Sequence, residues 1–177
     1  RQILGLDDEL VREVCSEAAQ GEVCEAVNYN SIGQVVIAGN IAAVERGMAL
    51  AKEKGAKRAL PLPVSVPSHC ALMRPAAEKL AEYLKNVNII SPKIPVIQNA
   101  NVEAYADSES IKAALVSQLY SPVRWVETVQ KIHMQDSYRF AECGPGKVLA
   151  GLTKRIVEGQ NCAALVSTET VSEFISG

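Results

Sequence analysis

Up to residue 65 the apolar positions switch between a period near two and a period near 3.6, the signatures of a half-buried strand and of a helix with one buried face. Residues 2–6 form a predicted strand. Asp7 then stands where a helix cap belongs, Leu10, Val11, Val14 and Ala18 follow helical spacing, and Gly21 ends the run. Stretches 23–30 and 34–38 are rich enough in β-branched residues to be strands, joined by the turn Ser31-Ile32-Gly33. The first pattern then repeats: Asn40 as cap, Ile41, Val44, Met48 and Ala51 on one face, Gly55 as the stop, and 57–64 as a last strand.

The order β-α-β-β-α-β is that of a ferredoxin-like lobe, with both helices on one face of the sheet. Such a lobe indicates no function by itself, because many binding and catalytic proteins use it. After residue 65 the character changes to longer helices separated by single short strands. Pro75 suits the first turn of a helix, which is predicted from about Arg74 to Lys85 with Ala77, Leu80, Ala81 and Leu84 inward. A short strand is predicted over 95–100. In the following helix Ile111, Ala114, Leu115, Gln118 and Leu119 share a face, which places an amide among apolar neighbours. A buried amide needs partners; at the edge of the face it reaches water.

A helix over 123–134 carries Trp125 and His133, the latter at a polar end beside terminal carbonyls or solvent. A strand over 138–143 leads into Gly144-Pro145-Gly146, either an anion cradle or a plain tight turn, and a helix follows with Val148, Leu149, Leu152 and Ile156 inward. A strand over 162–166 and a short helix from Thr168 close the chain. Residues 1–65 therefore read as an α+β lobe and 66–177 as part of a parallel α/β layer. Its missing strands are expected before Arg1, and the sequence is expected to be a fragment of a longer chain.

Composition narrows the partners. The 177 residues carry a net charge of −2, which points to neither nucleic acid nor a membrane surface. No apolar run approaches the roughly 18 residues a bilayer requires. The five cysteines, Cys15, Cys24, Cys70, Cys143 and Cys162, include no CxxC pair and no histidine at ligand spacing, so no metal is expected. They read as buried or half-buried free thiols of a cytoplasmic protein.

The chemistry concentrates on Pro61-Leu62-Pro63-Val64-Ser65-Val66-Pro67-Ser68-His69-Cys70-Ala71-Leu72-Met73. His69 is one of two histidines in the chain and stands at a proline-stiffened junction just before a helix. Imidazole titrates near neutrality, so a histidine held there is a candidate acid–base group. Cys70 is adjacent, but neighbouring residues rarely aim at one another, which argues against a Cys-His pair.

These stretches resemble the malonyl-CoA:acyl-carrier-protein transacylases of bacterial fatty-acid synthesis. The similarity runs in order through Asn28-Tyr29-Asn30-Ser31, Gly33 to Gly39, Gly55 to Met73, Gln118-Leu119-Tyr120 and Gly144-Pro145-Gly146-Lys147-Val148-Leu149. The resemblance implies an α/β protein in which a ferredoxin-like small lobe (1–65) is followed by the C-terminal part of an α/β-hydrolase-like large lobe (66–177). It implies ping-pong transfer of malonyl from coenzyme A to the phosphopantetheine thiol of acyl carrier protein, with no cofactor. His69 would be the general base, and Gln118 would offer its main-chain carbonyl to the imidazole.

No Gly-x-Ser-x-Gly occurs in the chain, so the nucleophile is expected on an N-terminal segment outside it, and the isolated chain is expected to be inactive. Lys57, Arg58, Lys154 and Arg155 stand where relatives are thought to dock an acidic carrier. Two other readings share the residues: the acyltransferase module of a polyketide synthase, although Val66-Pro67-Ser68 resembles the fatty-acid type, and a non-catalytic binding module built on the ferredoxin-like lobe.

Overall fold

The computed structural model describes residues 1–135 and 139–177, which fall into two compact units, Arg1–Trp125 and Val126–Gly177. The first unit is built on a four-stranded sheet in the order β2-β3-β1-β4, from β1 (Gln2–Leu4), β2 (Cys24–Ser31), β3 (Gln34–Gly39) and β4 (Arg58–Leu60). All neighbouring strands run antiparallel. Helices α1 (Asp8–Ala19) and α2 (Ile41–Glu53) connect β1 to β2 and β3 to β4.

Val11, Val14 and Ala18 of α1 and Val44 and Ala51 of α2 bury against Ile3, Val35 and Ile37 of the sheet, so one continuous apolar core holds the lobe. Val35 and Ile37 keep the expected alternation. β2 does not: register shifts between Ala26 and Asn28 and between Tyr29 and Ser31 break its period, and its buried residues are Cys24, Val27 and Ser31.

Several sequence expectations shift locally. Asp7 caps α1 as its position implies, its Oδ1 accepting the Leu10 N–H at 2.8 Å. Asn40 occupies the cap position of α2 but makes no capping bond; its Oδ1 instead accepts the Val23 N–H at 2.9 Å and fixes the start of β2. Ile41 is exposed rather than inward, because the inner face of α2 begins at Ala43 and includes Gly47. A Cβ at Gly47 would stand 3.2 Å from Ile37 Cδ1 and 3.3 Å from Cys24 Sγ, so helix and sheet approach here to glycine distance. β4 stops at Leu60 instead of reaching 64, since Pro61 and Pro63 cannot donate to a ladder.

Beyond the sheet, a 3₁₀ turn (Ala71–Met73) runs directly into α3 (Arg74–Leu84), which buries Ala77 and Leu84. The predicted strand over 95–100 forms only an isolated bridge between Ile97 and Ala104. α4 (Ser108–Ser117) is capped by Asp107, whose Oδ1 accepts the Ser110 N–H at 2.8 Å; that bond holds the carboxyl below its usual range. α4 ends one residue before Gln118. The pattern change at residue 65 is thus internal to the first compact unit.

The second unit is smaller. β5 (Phe140–Cys143) and β6 (Cys162–Leu165) form a parallel pair, with α6 (Val148–Ile156) between them in sequence and α7 (Thr168–Ser176) after them. α5 (Trp125–His133) precedes β5. Tyr138, expected to open the first strand, lies outside the described residues. α6 turns Leu152, Thr153 and Ile156 inward and leaves Val148 and Leu149 exposed, contrary to the spacing argument, because its buried face lies on the last turns only. His133 is exposed, as the solvent alternative has it, and its Nδ1 lies 3.1 Å from Gln160 Oε1.

Candidate active site

Ser65 to Cys70 follow β4 without regular structure, and His69 within them adopts φ +67°, the left-handed region that costs a non-glycine residue roughly 1–2 kcal/mol. Such a conformation persists only where surrounding bonds enforce it. Here the enforcing group is the C-terminus of α4. The last carbonyls of a helix have no intrahelical partner and are free acceptors. The His69 backbone N–H donates to the Leu119 carbonyl at 2.9 Å, and its ring Nδ1 lies 2.7 Å from the Gln118 carbonyl.

A carbonyl only accepts, so Nδ1 carries the proton and the neutral ring keeps its lone pair on Nε2. Gln118 therefore contributes through its main chain. It is the C-cap of α4, still in helical conformation, with its N–H donating to the Ala114 carbonyl at 3.0 Å.

The α4 terminus is itself anchored. Val123, just beyond it, donates to Val27 at 2.9 Å and accepts from Tyr29 at 3.0 Å, adding a short parallel bridge to the bulged edge of β2. Arg74 at the start of α3 stacks over the Tyr120 ring at 4.4 Å, tying the beginning of one helix to the end of the other.

Cys70 is fully buried, and its thiol donates to the Pro67 carbonyl at 3.2 Å. Burial pushes that thiol up from its ordinary value, which works against a nucleophilic role. Ser65 and Ser68 are exposed. A cleft of about 640 Å³ opens beside this segment, lined by Val64, Ser65, Val66 and Pro67 on one side and by Asn40 and Ile41 on the other. His69 is not among its lining residues, so the chemistry is assigned from the hydrogen bonds and not from the cleft.

Lys57, Arg58, Lys154 and Arg155 are all exposed, the first pair at the start of β4 and the second in the last turn of α6. At the start of α6 the Glu142 carboxylate accepts the Ala150 N–H at 2.8 Å, which puts a negative charge of the chain's own beside the Gly144-Pro145-Gly146 turn. Glu142 carried no signal in the sequence, being one carboxylate in a short strand. Among the described residues no three His, Cys, Asp or Glu side chains cluster as a metal site requires, and no helix is long and apolar enough to cross a membrane. Cys143 is exposed, unlike the other four cysteines.

No protein-family model matches the chain. Individual proteins do. The malonyl CoA-acyl carrier protein transacylase of Haemophilus influenzae is 56% identical over 176 residues, covering 98% of this chain and 56% of that protein. That of Bacillus subtilis is 42% identical over 170 residues, 96% of this chain and 54% of that protein. Among solved structures, an acyl carrier protein S-malonyltransferase from Vibrio cholerae superposes with a TM-score of 0.95 at 54% identity, covering 98% of this chain and 56% of that one. A malonyl-transacylase solved in complex with a type II PKS acyl-carrier protein gives 0.96 at 51% identity, over 99% and 57%. In sequence and in fold the chain is a homologue of the malonyl CoA-acyl carrier protein transacylases over 98% of its own length, and it spans a little over half of theirs.

Proposed function

We propose that this chain carries the general base of a malonyl transferase that moves malonyl from coenzyme A to the phosphopantetheine thiol of an acyl carrier protein, in the cytoplasm and without a cofactor. The observation that carries the reading is the 2.7 Å contact from His69 Nδ1 to the Gln118 carbonyl, which orients the ring and leaves Nε2 basic. The strand order β2-β3-β1-β4 with a helix in each crossover supports residues 1–65 as a ferredoxin-like small subdomain. Residues 66–177, with their parallel β5-β6 pair, then form the C-terminal part of an α/β-hydrolase-like subdomain.

In this reading the nucleophile is a serine outside these 177 residues, on the Gly-His-Ser-x-Gly segment that the resemblance implies. Its hydroxyl attacks the malonyl thioester while Nε2 takes the proton. The C–S bond breaks, and the imidazolium returns that proton to the departing coenzyme A thiolate. In the second half Nε2 takes the proton of the phosphopantetheine thiol, the thiolate attacks the serine ester, and the serine oxygen recovers the proton. Gln118 stabilises the imidazolium through its carbonyl, as an aspartate does in a Ser-His-Asp triad.

Radiolabelled malonyl-CoA tests this. The isolated 177-residue chain should acquire no covalent label, and the protein that includes the serine segment should label and transfer. Stoichiometric labelling of the isolated chain would overturn the assignment of the nucleophile. For docking, Lys57, Arg58, Lys154 and Arg155 are the candidate contacts to an acidic carrier. Reversing Arg58 and Arg155 to Glu should raise the apparent KM for the carrier and leave malonyl-CoA hydrolysis unchanged; equal effects on both would refute docking. A carrier from polyketide synthesis is the second reading, favoured by the neighbour solved with a type II PKS carrier.

A further inference from the structure

We propose that Glu25, on β2, is a positioning residue for His69, an inference that rests on the acid–base role given to His69 above. The helical run 71–84 begins at Ala71, and the residue in its cap position, Cys70, makes no capping bond because its thiol is turned back onto the Pro67 carbonyl. The first amides of a helix have no partner within it. Glu25 supplies one from 46 residues away: its Oε2 accepts the Ala71 N–H at 3.2 Å. A carboxylate at this end of a helix is also favoured by the aligned peptide dipoles.

The consequence lies two residues upstream. His69 is in the left-handed region at φ +67°, and a strained residue relaxes unless the chain is held on both sides of it. On the near side the Leu119 and Gln118 carbonyls hold its backbone N–H and its ring. On the far side Glu25 holds the amide of Ala71. These restraints share one frame, because β2 is bonded through Val27 and Tyr29 to Val123, just past the end of α4. Withdrawing the carboxylate frees the start of the helix, lets His69 leave the left-handed region, and swings Nε2 away from the line the other bonds define. Glu25 bonds the backbone of Ala71 and acts on His69 through it.

The test uses the full-length protein with its serine segment and three variants, with thermal melts run alongside. Glu25→Ala should lower kcat for malonyl transfer roughly ten-fold, with KM for malonyl-CoA within about two-fold of wild type. In ¹⁵N spectra of the imidazole, the His69 Nδ1–H tautomer of the wild type should give way to an averaged signal. Glu25→Gln retains an acceptor without the charge and should restore both readouts. Should the alanine variant fail to fold, Glu25→Asp, one methylene short of Ala71, should reproduce the loss.

An unchanged imidazole spectrum in Glu25→Ala, whatever happens to kcat, would overturn the proposal, and so would a Glu25→Gln protein as impaired as Glu25→Ala. A wild-type protein that transfers no malonyl would instead sink the function proposed for His69, while the imidazole spectra would still decide the role of Glu25.

Discussion

In helix and strand interiors alanine is better tolerated than glycine; at residue 69 the order should reverse. Replacing His69 by Ala or by Gly removes the same Nδ1 bond to the Gln118 carbonyl, and both variants keep the backbone N–H that donates to Leu119, so these contributions cancel in the comparison. What remains is the backbone. At φ +67° alanine carries the left-handed penalty of about 1–2 kcal/mol, which glycine escapes. Glycine in turn loses about 0.4–1 kcal/mol through the greater freedom of its unfolded chain. The difference favours His69→Gly by about 0.8 kcal/mol, equivalent to a Tm higher by about 2–3 °C in a chain of this size. Equilibrium urea unfolding of the two variants, with the slopes compared to confirm the same denatured state, measures it directly. A His69→Ala protein more stable than His69→Gly would show that residue 69 carries no left-handed strain and that the bonds from α4 and Glu25 enforce nothing.

Asp7→Ala should cost about 1 kcal/mol by removing the acceptor for the Leu10 N–H, and Asp7→Ser should recover most of it in the same urea assay. Gly47→Val should cost about 1–3 kcal/mol, because Ile37 Cδ1 and Cys24 Sγ already stand 3.2 and 3.3 Å from where the first added carbon would sit. Gly47→Ala should come out near neutral, its helix preference of about 1 kcal/mol offset by that crowding. With a neutral alkylating reagent, mass spectrometry should find Cys143 modified first and Cys15, Cys24 and Cys70 only on unfolding; early labelling of Cys70 would contradict its burial and its bond to Pro67. Because burial raises the Cys70 thiol, its thiolate should remain scarce at neutral pH in the folded protein and become accessible only as the chain opens.

Local chemistry was enough to place most elements. The Asp7 cap, the Gly21 stop, the turn at Gly33 and the prolines after β4 act on their immediate neighbours, and the alternation at Val35 and Ile37 is a property of a strand with one buried face. His69 was legible as a candidate because few residue types titrate near neutrality and few positions are so stiffly flanked. Its partner Gln118 was reachable only through similarity, since a main-chain carbonyl looks the same at every residue.

Tertiary packing decided the rest. Whether Asn40 bonds its own helix or the start of β2, and whether Ile41, Val148 and Leu149 face in or out, depends on which neighbour arrives, and spacing is silent about that. β2 is the outermost strand of its sheet, and its open edge takes up Val123, and through Val123 the end of α4. His69 is held by carbonyls 49 and 50 residues downstream and, through Ala71, by a carboxylate on β2. A sequence pattern reports what a residue prefers among its near neighbours; the strained backbone of the candidate base is the result of contacts that only the folded chain brings together.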